Sequence, residues 1–221
     1  MNKKMMLLAL AAVSAAMFAL PAVASAGTWH LEPASGSTTI TFTSHGGTAE
    51  LRTTSGQRVH CTGNSGSGHY ENTTTGTIEL TFSTCTGPFG AHCTTSGQAA
   101  GTIKTTKLPF HNIALEPADK TKIGVLITSA TGGTHFASFS CLGINTAVTG
   151  NGIIGEVTAP KCGESKNTGT LVFAANSAGH QKWTQVTTSG TIYDLTSFGS
   201  TSSIDAVGTT TFPENAKVNC T

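Results

Sequence analysis

The stretch "GTIELTFS", Gly76 to Ser83, decides the fold. Ile78, Leu80 and Phe82 fall on one side of an extended chain, and Thr77, Glu79 and Thr81 on the other. Successive side chains of a strand point to opposite faces, so a period of two predicts a strand with one face in a core and one in water. "TTITFTS" (38–44) repeats the pattern, with Ile40 and Phe42 set against Thr39, Thr41 and Thr43. Shorter versions follow at "GTAELRT" (47–53), "GTIKTTKL" (101–108), "KIGVLIT" (122–128), "THFASFS" (134–140), "NTAVTG" (145–150), "GTLVFAA" (169–175), "KWTQV" (182–186) and "TIYDLT" (191–196). The gaps are rich in Gly, Ser, Asn and Pro, the residues that make turns. "GNSGSG" (63–68) reads as a hairpin loop, "EPADKTK" (116–122) as a single helical turn, and Pro109 marks an edge strand or a bulge. About twelve short strands at this spacing predict an all-β domain, an antiparallel β-sandwich, with a β-barrel or two small β subdomains as alternatives.

Composition agrees. The chain holds forty threonines and 26 glycines, and only 10% of its residues are charged. Threonine's branched Cβ suits a strand, whereas a disordered chain of low hydrophobicity carries high net charge and few apolar clusters. Residues 1–26 read as a signal peptide. Lys3 and Lys4 precede an apolar run from Met5 to Leu20, then Pro21 and the small residues Ala24-Ser25-Ala26, with cleavage expected before Gly27. Residues 27–221 then form one exported domain with no transmembrane segment after cleavage. Removing the two signal lysines from the twelve basic residues leaves ten against eleven acidic ones. This balance gives no footprint for nucleic acid or for an anionic membrane.

Six cysteines, Cys61, Cys85, Cys93, Cys141, Cys162 and Cys220, all lie in the exported part. An even count outside the cytoplasm predicts three disulfides. Proximity and the Gly-Pro-rich loop "CTGPFGAHC" (85–93) favour Cys85 with Cys93. The sequence does not choose among the pairings of the other four, for which Cys141 with Cys162, closing a two-strand excursion, and Cys61 with Cys220, tying down the last residues, are the expectation. No metal is expected, because C-x-x-C is absent and His60 and His92, each beside a cysteine, would point away from it on a strand. Cys61-Thr-Gly and Cys85-Thr-Gly echo one another, each followed by Gly-Thr-Ile, at 76 and 101.

No catalytic motif is present: no G-x-S-x-G, H-E-x-x-H, calcium loop or phosphate-binding glycine pattern. Glu50, Glu79, Asp194 and Asp205 are the carboxylates that could converge as a glycosidase pair. Trp183, flanked by polar residues in "HQKWTQV", and Tyr193 are candidate ligand-binding aromatics, with His111 of "LPFHN" as a further candidate. No cofactor is expected. The elements "CTG", "GTIELTF", the paired cysteines, "GTI" and "LPFH", within 57–128, resemble uncharacterised exported, cysteine-containing all-β proteins of bacteria. That resemblance implies the fold and the export, and it carries no activity. The expectation is a secreted or cell-surface, non-enzymatic protein, structural or ligand-binding, whose partner is an extracellular or cell-envelope glycan or protein. The alternative is a secreted polysaccharide hydrolase.

Overall fold

The computed structural model describes residues 28–220, apart from 117–118, 131–134, 177 and 186–190. The expected signal peptide, 1–26, lies outside the described residues. The strands in chain order are β1 (Trp29–Pro33), β2 (Ile40–Thr53), β3 (Arg58–Cys61), β4 (Gly63–Tyr70), β5 (Thr75–Ser83), β6 (Cys93–Thr94), β7 (Ile103–Lys104) and β8 (Leu108–Glu116). They continue with β9 (Asp119–Ile127), β10 (His135–Cys141), β11 (Ile144–Gly150), β12 (Ile153–Ala159), β13 (Ser165–Phe173), β14 (Leu195–Ser197) and β15 (Ser200–Cys220).

The all-β, antiparallel expectation holds. Eight strands pair in the order β2-β4-β5-β8-β9-β12-β13-β15, and β15 returns to β2, so the sheet closes on itself. The two packed walls of the expected sandwich are therefore halves of one ring, joined along both edges. Closure leaves no open edge in the ring for another chain to pair with.

In an up-and-down ring, alternate connections lie at opposite ends. The links β4–β5, β8–β9 and β12–β13 are short and define a basal end. The links β2–β4, β5–β8, β9–β12 and β13–β15 are long, and all leave the opposite, distal end. These excursions carry β3, β6, β7, β10, β11 and β14. β14, β11, β10 and β6 pair in that order outward from β15, β3 pairs with β2 and β7 with β5, and Thr105 bridges to Ala137, so they extend the ring with a second storey. β1 packs at the basal end, pairing with residues 216–220 of β15.

"GTIELTFS" is β5, near the middle of the sheet. Two separately read stretches, "TTITFTS" and "GTAELRT", are one strand, β2. Its inward residues change from Ile40, Phe42 and Ser44 to Ala49, Leu51 and Thr53, a change of phase. A register shift against β15 accompanies it, the mark of a bulge. "GNSGSG" is not a loop but strand β4. Its inward glycines make room for neighbours: a Cβ on Gly68 would lie 2.6 Å from Phe42 Cζ, and one on Gly66 would lie 2.8 Å from Leu80 Cδ2. Glu116 pairs with Asp119, so "EPADKTK" joins two strands in a hairpin rather than forming a helical turn. Pro109 sits at the start of β8, between β5 and β9, opposite Thr77 with no register shift and with its carbonyl accepting from the Thr128 N–H at 3.0 Å, so it marks neither an edge strand nor a bulge. Within "KWTQV" the described residues contribute only a single bridge, Gln185 with Ile192.

Three disulfides form, but with other partners than proximity suggested: Cys61–Cys85, Cys93–Cys141 and Cys162–Cys220. The loop 85–93 does turn back, and the Cys93 N–H donates to the Cys85 carbonyl at 3.0 Å. Its two ends are nevertheless tied to different strands, Cys85 to the end of β3 and Cys93 to the facing residue of β10. The echoing Cys-Thr-Gly triplets are thus bonded to each other, with His60 and Thr86 exchanging backbone hydrogen bonds at 2.8 Å.

Candidate functional site: an apolar cavity inside the closed sheet

Where the ring meets its second storey, the inward side chains leave a cavity of about 120 Å³. Ile78, Leu108, Ile127, Ile153 and Leu171 line it from the ring, and Phe136, Phe139, Val148 and Leu195 from the excursions. The void follows from small residues at inward positions. Ala49, Ala137, Ala206 and Gly208 stand where the alternation elsewhere places Ile, Leu or Phe. A second space of about 70 Å³ lies toward the base and shares Ile78, Ile127, Leu171 and Thr210 with the first.

Of the polar side chains on this wall, Ser44, Asn64, Thr105 and Thr210, Thr105 and Asn64 are bound to backbone. Thr105 Oγ1 accepts from the Leu80 N–H at 2.9 Å, and Asn64 Nδ2 donates to the Gly47 carbonyl at 2.9 Å. Among the described residues, no Asp, Glu, Lys, Arg or His lines the cavity. Below it, Phe42, Tyr70, Phe110 and Phe212 pack edge to face and close the base. The Tyr70 hydroxyl donates to Asn112 Oδ1 at 3.2 Å, and burial raises its pKa above the ordinary value. Asn112 in turn donates to the carbonyls of Trp29 and Thr73, both at 3.3 Å, which ties β1 across the opening. Toward the distal end, Ser197 and Ser202 are buried with no hydrogen-bond partner for their hydroxyls.

Trp183 and Tyr193 come together, but outside the ring. Both cover a small apolar cluster of Ile113, Leu115, Leu126 and Ile154 on the outer face of β8, β9 and β12. Trp183 is fixed there: its Nε1–H donates to Glu156 Oε2 at 3.1 Å, and Lys182 Nζ lies 5.2 Å from its ring centroid. His111 stands exposed on β8, opposite Leu126, and loss of hydration lowers its pKa.

The four carboxylates occupy three separate places. Glu50 and Asp205 are directly opposed on β2 and β15, but Arg52 lies between them at 2.8 and 3.1 Å, where a glycosidic bond would have to enter. Glu79 pairs with Lys104 at 2.9 Å, and Asp194 lies 3.9 Å from His180. Comparison with protein-family models, with curated proteins and with solved structures finds no match.

Proposed function

We propose that the chain is an exported, non-enzymatic binding protein that holds a small apolar ligand inside its ring. The observation that carries this reading is the cavity between the two storeys, walled mainly by apolar side chains, with Thr105 and Asn64 among its polar residues bound to backbone. Apolar cavities of this order stay dry and take up small hydrocarbons, because water gains no partners in them. A closed eight-stranded ring is the size at which a barrel interior either fills with side chains or holds one small ligand. Three disulfides, and no helix among the described residues long and apolar enough to cross a membrane, suit an extracellular protein.

The test is thermal denaturation with and without a small aromatic or short-chain hydrocarbon probe. Ligand at a hundred times its Kd stabilises by about 2.7 kcal/mol, which raises Tm by about 5–10 °C for a chain of this size. Ala49→Leu fills the cavity from a buried wall position, and it should abolish that shift while leaving the Tm of the unliganded chain unchanged or higher. No shift with any apolar probe, together with nothing apolar extracted from the purified protein, would overturn the reading.

A further inference from the structure

Three tight turns project from the distal end, and each has a bulky apolar residue followed by glycine at its centre. Leu142-Gly143 joins β10 to β11, Phe198-Gly199 joins β14 to β15, and Phe89-Gly90 caps the loop from Cys85 to Cys93. In all three, both central residues have positive φ: 51° and 77°, 49° and 73°, 58° and 72°. Such turns favour Asn-Gly or Asp-Gly, since a bulky side chain in the left-handed region is a conformational outlier. Here Phe89, Leu142 and Phe198 are three of the four non-glycine residues with positive φ among the described residues.

At Phe89 and Leu142 the strain does not serve the core. Phe89 is 98% exposed, Leu142 62%, and Ile144 beside it 64%. Phe198 bridges inward, edge to face with Phe139 at 6.0 Å. Among the described residues, the surface that Phe89, Leu142, Ile144 and Phe198 line carries no charged side chain. It is also held rigidly. Cys85 and Cys93 anchor both ends of the Phe89 loop, and Cys141, which immediately precedes the Leu142 turn, is bonded to Cys93.

We propose that this distal tip docks on the interfacial layer of a neutral phospholipid bilayer. The exposed side chains amount to about 400 Å² of apolar surface on a projecting end. A stable interface between proteins needs about 800 Å² per partner with matched shape and a paired polar rim, of which these three side chains supply about half. A bilayer needs no matched shape, only apolar side chains that enter the boundary between headgroups and acyl chains. The absence of charge around them suits a zwitterionic surface rather than an anionic one. This inference is independent of the cavity, which lies deeper, between the storeys.

The experiment is flotation with phosphatidylcholine vesicles of the chain from Gly27 onward. The described residues close their ring without the preceding segment, and an apolar 1–26 would itself enter lipid. The parent chain should float, and high salt should not release it. The double variant Phe89→Asn, Leu142→Asn places in each turn the residue that the turn favours. It should bind vesicles at least about tenfold more weakly, yet melt at the same or a higher temperature. A parent chain that does not float, a variant that floats as well as the parent, or binding confined to anionic vesicles would overturn the proposal. A concentration-dependent dimer that the variant dissociates, without vesicle binding, would also overturn it and make the tip an interface between copies.

Discussion

Glu156 shows how a single residue outside the ring can hold a pH dependence. Partial burial pushes its carboxyl pKa up. Hydrogen bonds from Lys182 at 3.0 Å and Trp183 at 3.1 Å, with the charges of Lys182 and Lys122, outweigh this and leave it below the usual value. A carboxyl whose folded pKa is depressed contributes stability above its unfolded pKa, about 4.3, and loses it as pH falls through the folded value. Asp194 runs the other way: burial raises its pKa and nearby His180 offsets this only in part, so its share grows on acidification. The Glu156 share is therefore read as a difference. Urea unfolding of the parent and of Glu156→Gln should differ most at neutral pH, and the gap should close below about pH 4. A gap of the same size at both ends of that range would mean that the carboxylate charge does not hold the Trp183 segment.

At the scale of elements, the strand that matters most is the one the alternation of apolar residues did not reveal. β15 runs from Ser200 to Cys220 and closes the ring by pairing with β2 on one side and β13 on the other. Its sequence, "STSSIDAVGTTTFPENAKVNC", places only Ile204 and Ala206 with Gly208 and Thr210 at inward positions beside the cavity, so its apolar signal is thin. β4 was hidden for the same reason, because Gly66 and Gly68 yield their space to Leu80 and Phe42. β5 and β2 were legible because Ile, Leu and Phe fill their inward faces. The cysteines were legible as three staples but not as pairs, since the strands that bring Cys93 opposite Cys141 are far apart in sequence. The distal tip did leave a signal in the strings Pro-Phe-Gly, Cys-Leu-Gly and Ser-Phe-Gly. It becomes readable only once the turns are known to share one end. The closing role of β15 is testable at Thr209, which faces His45 on β2 and Thr170 on β13. Thr209→Pro removes a ladder donor inside the ring and should cost about 3 kcal/mol or more in urea unfolding. A proline tolerated there at under about 1 kcal/mol would show that the ring is not closed at that point.

The whole molecule is a long β structure with few apolar side chains per strand and an internal void, so its covalent links bear more of its stability than in a well-filled domain of this length. The disulfides span 24, 48 and 58 residues. Their loops, 61–85, 93–141 and 162–220, follow one another along the chain without overlap. Each therefore restricts a different part of the unfolded chain, and the three effects add to a first approximation. Loop-closure entropy gives about 3.5, 4 and 4 kcal/mol, a total of about 12 kcal/mol. A domain's whole stability is about 5–15 kcal/mol. Complete reduction without denaturant should bring the chain to, or close to, its unfolding threshold. Circular dichroism would show the strand signal collapsing at low urea, while the oxidised chain holds. Peptide mapping of the oxidised chain should return 61 with 85, 93 with 141 and 162 with 220. A reduced chain that keeps its strand signal and most of its urea midpoint would show that the ring's apolar packing, not its staples, supplies the stability.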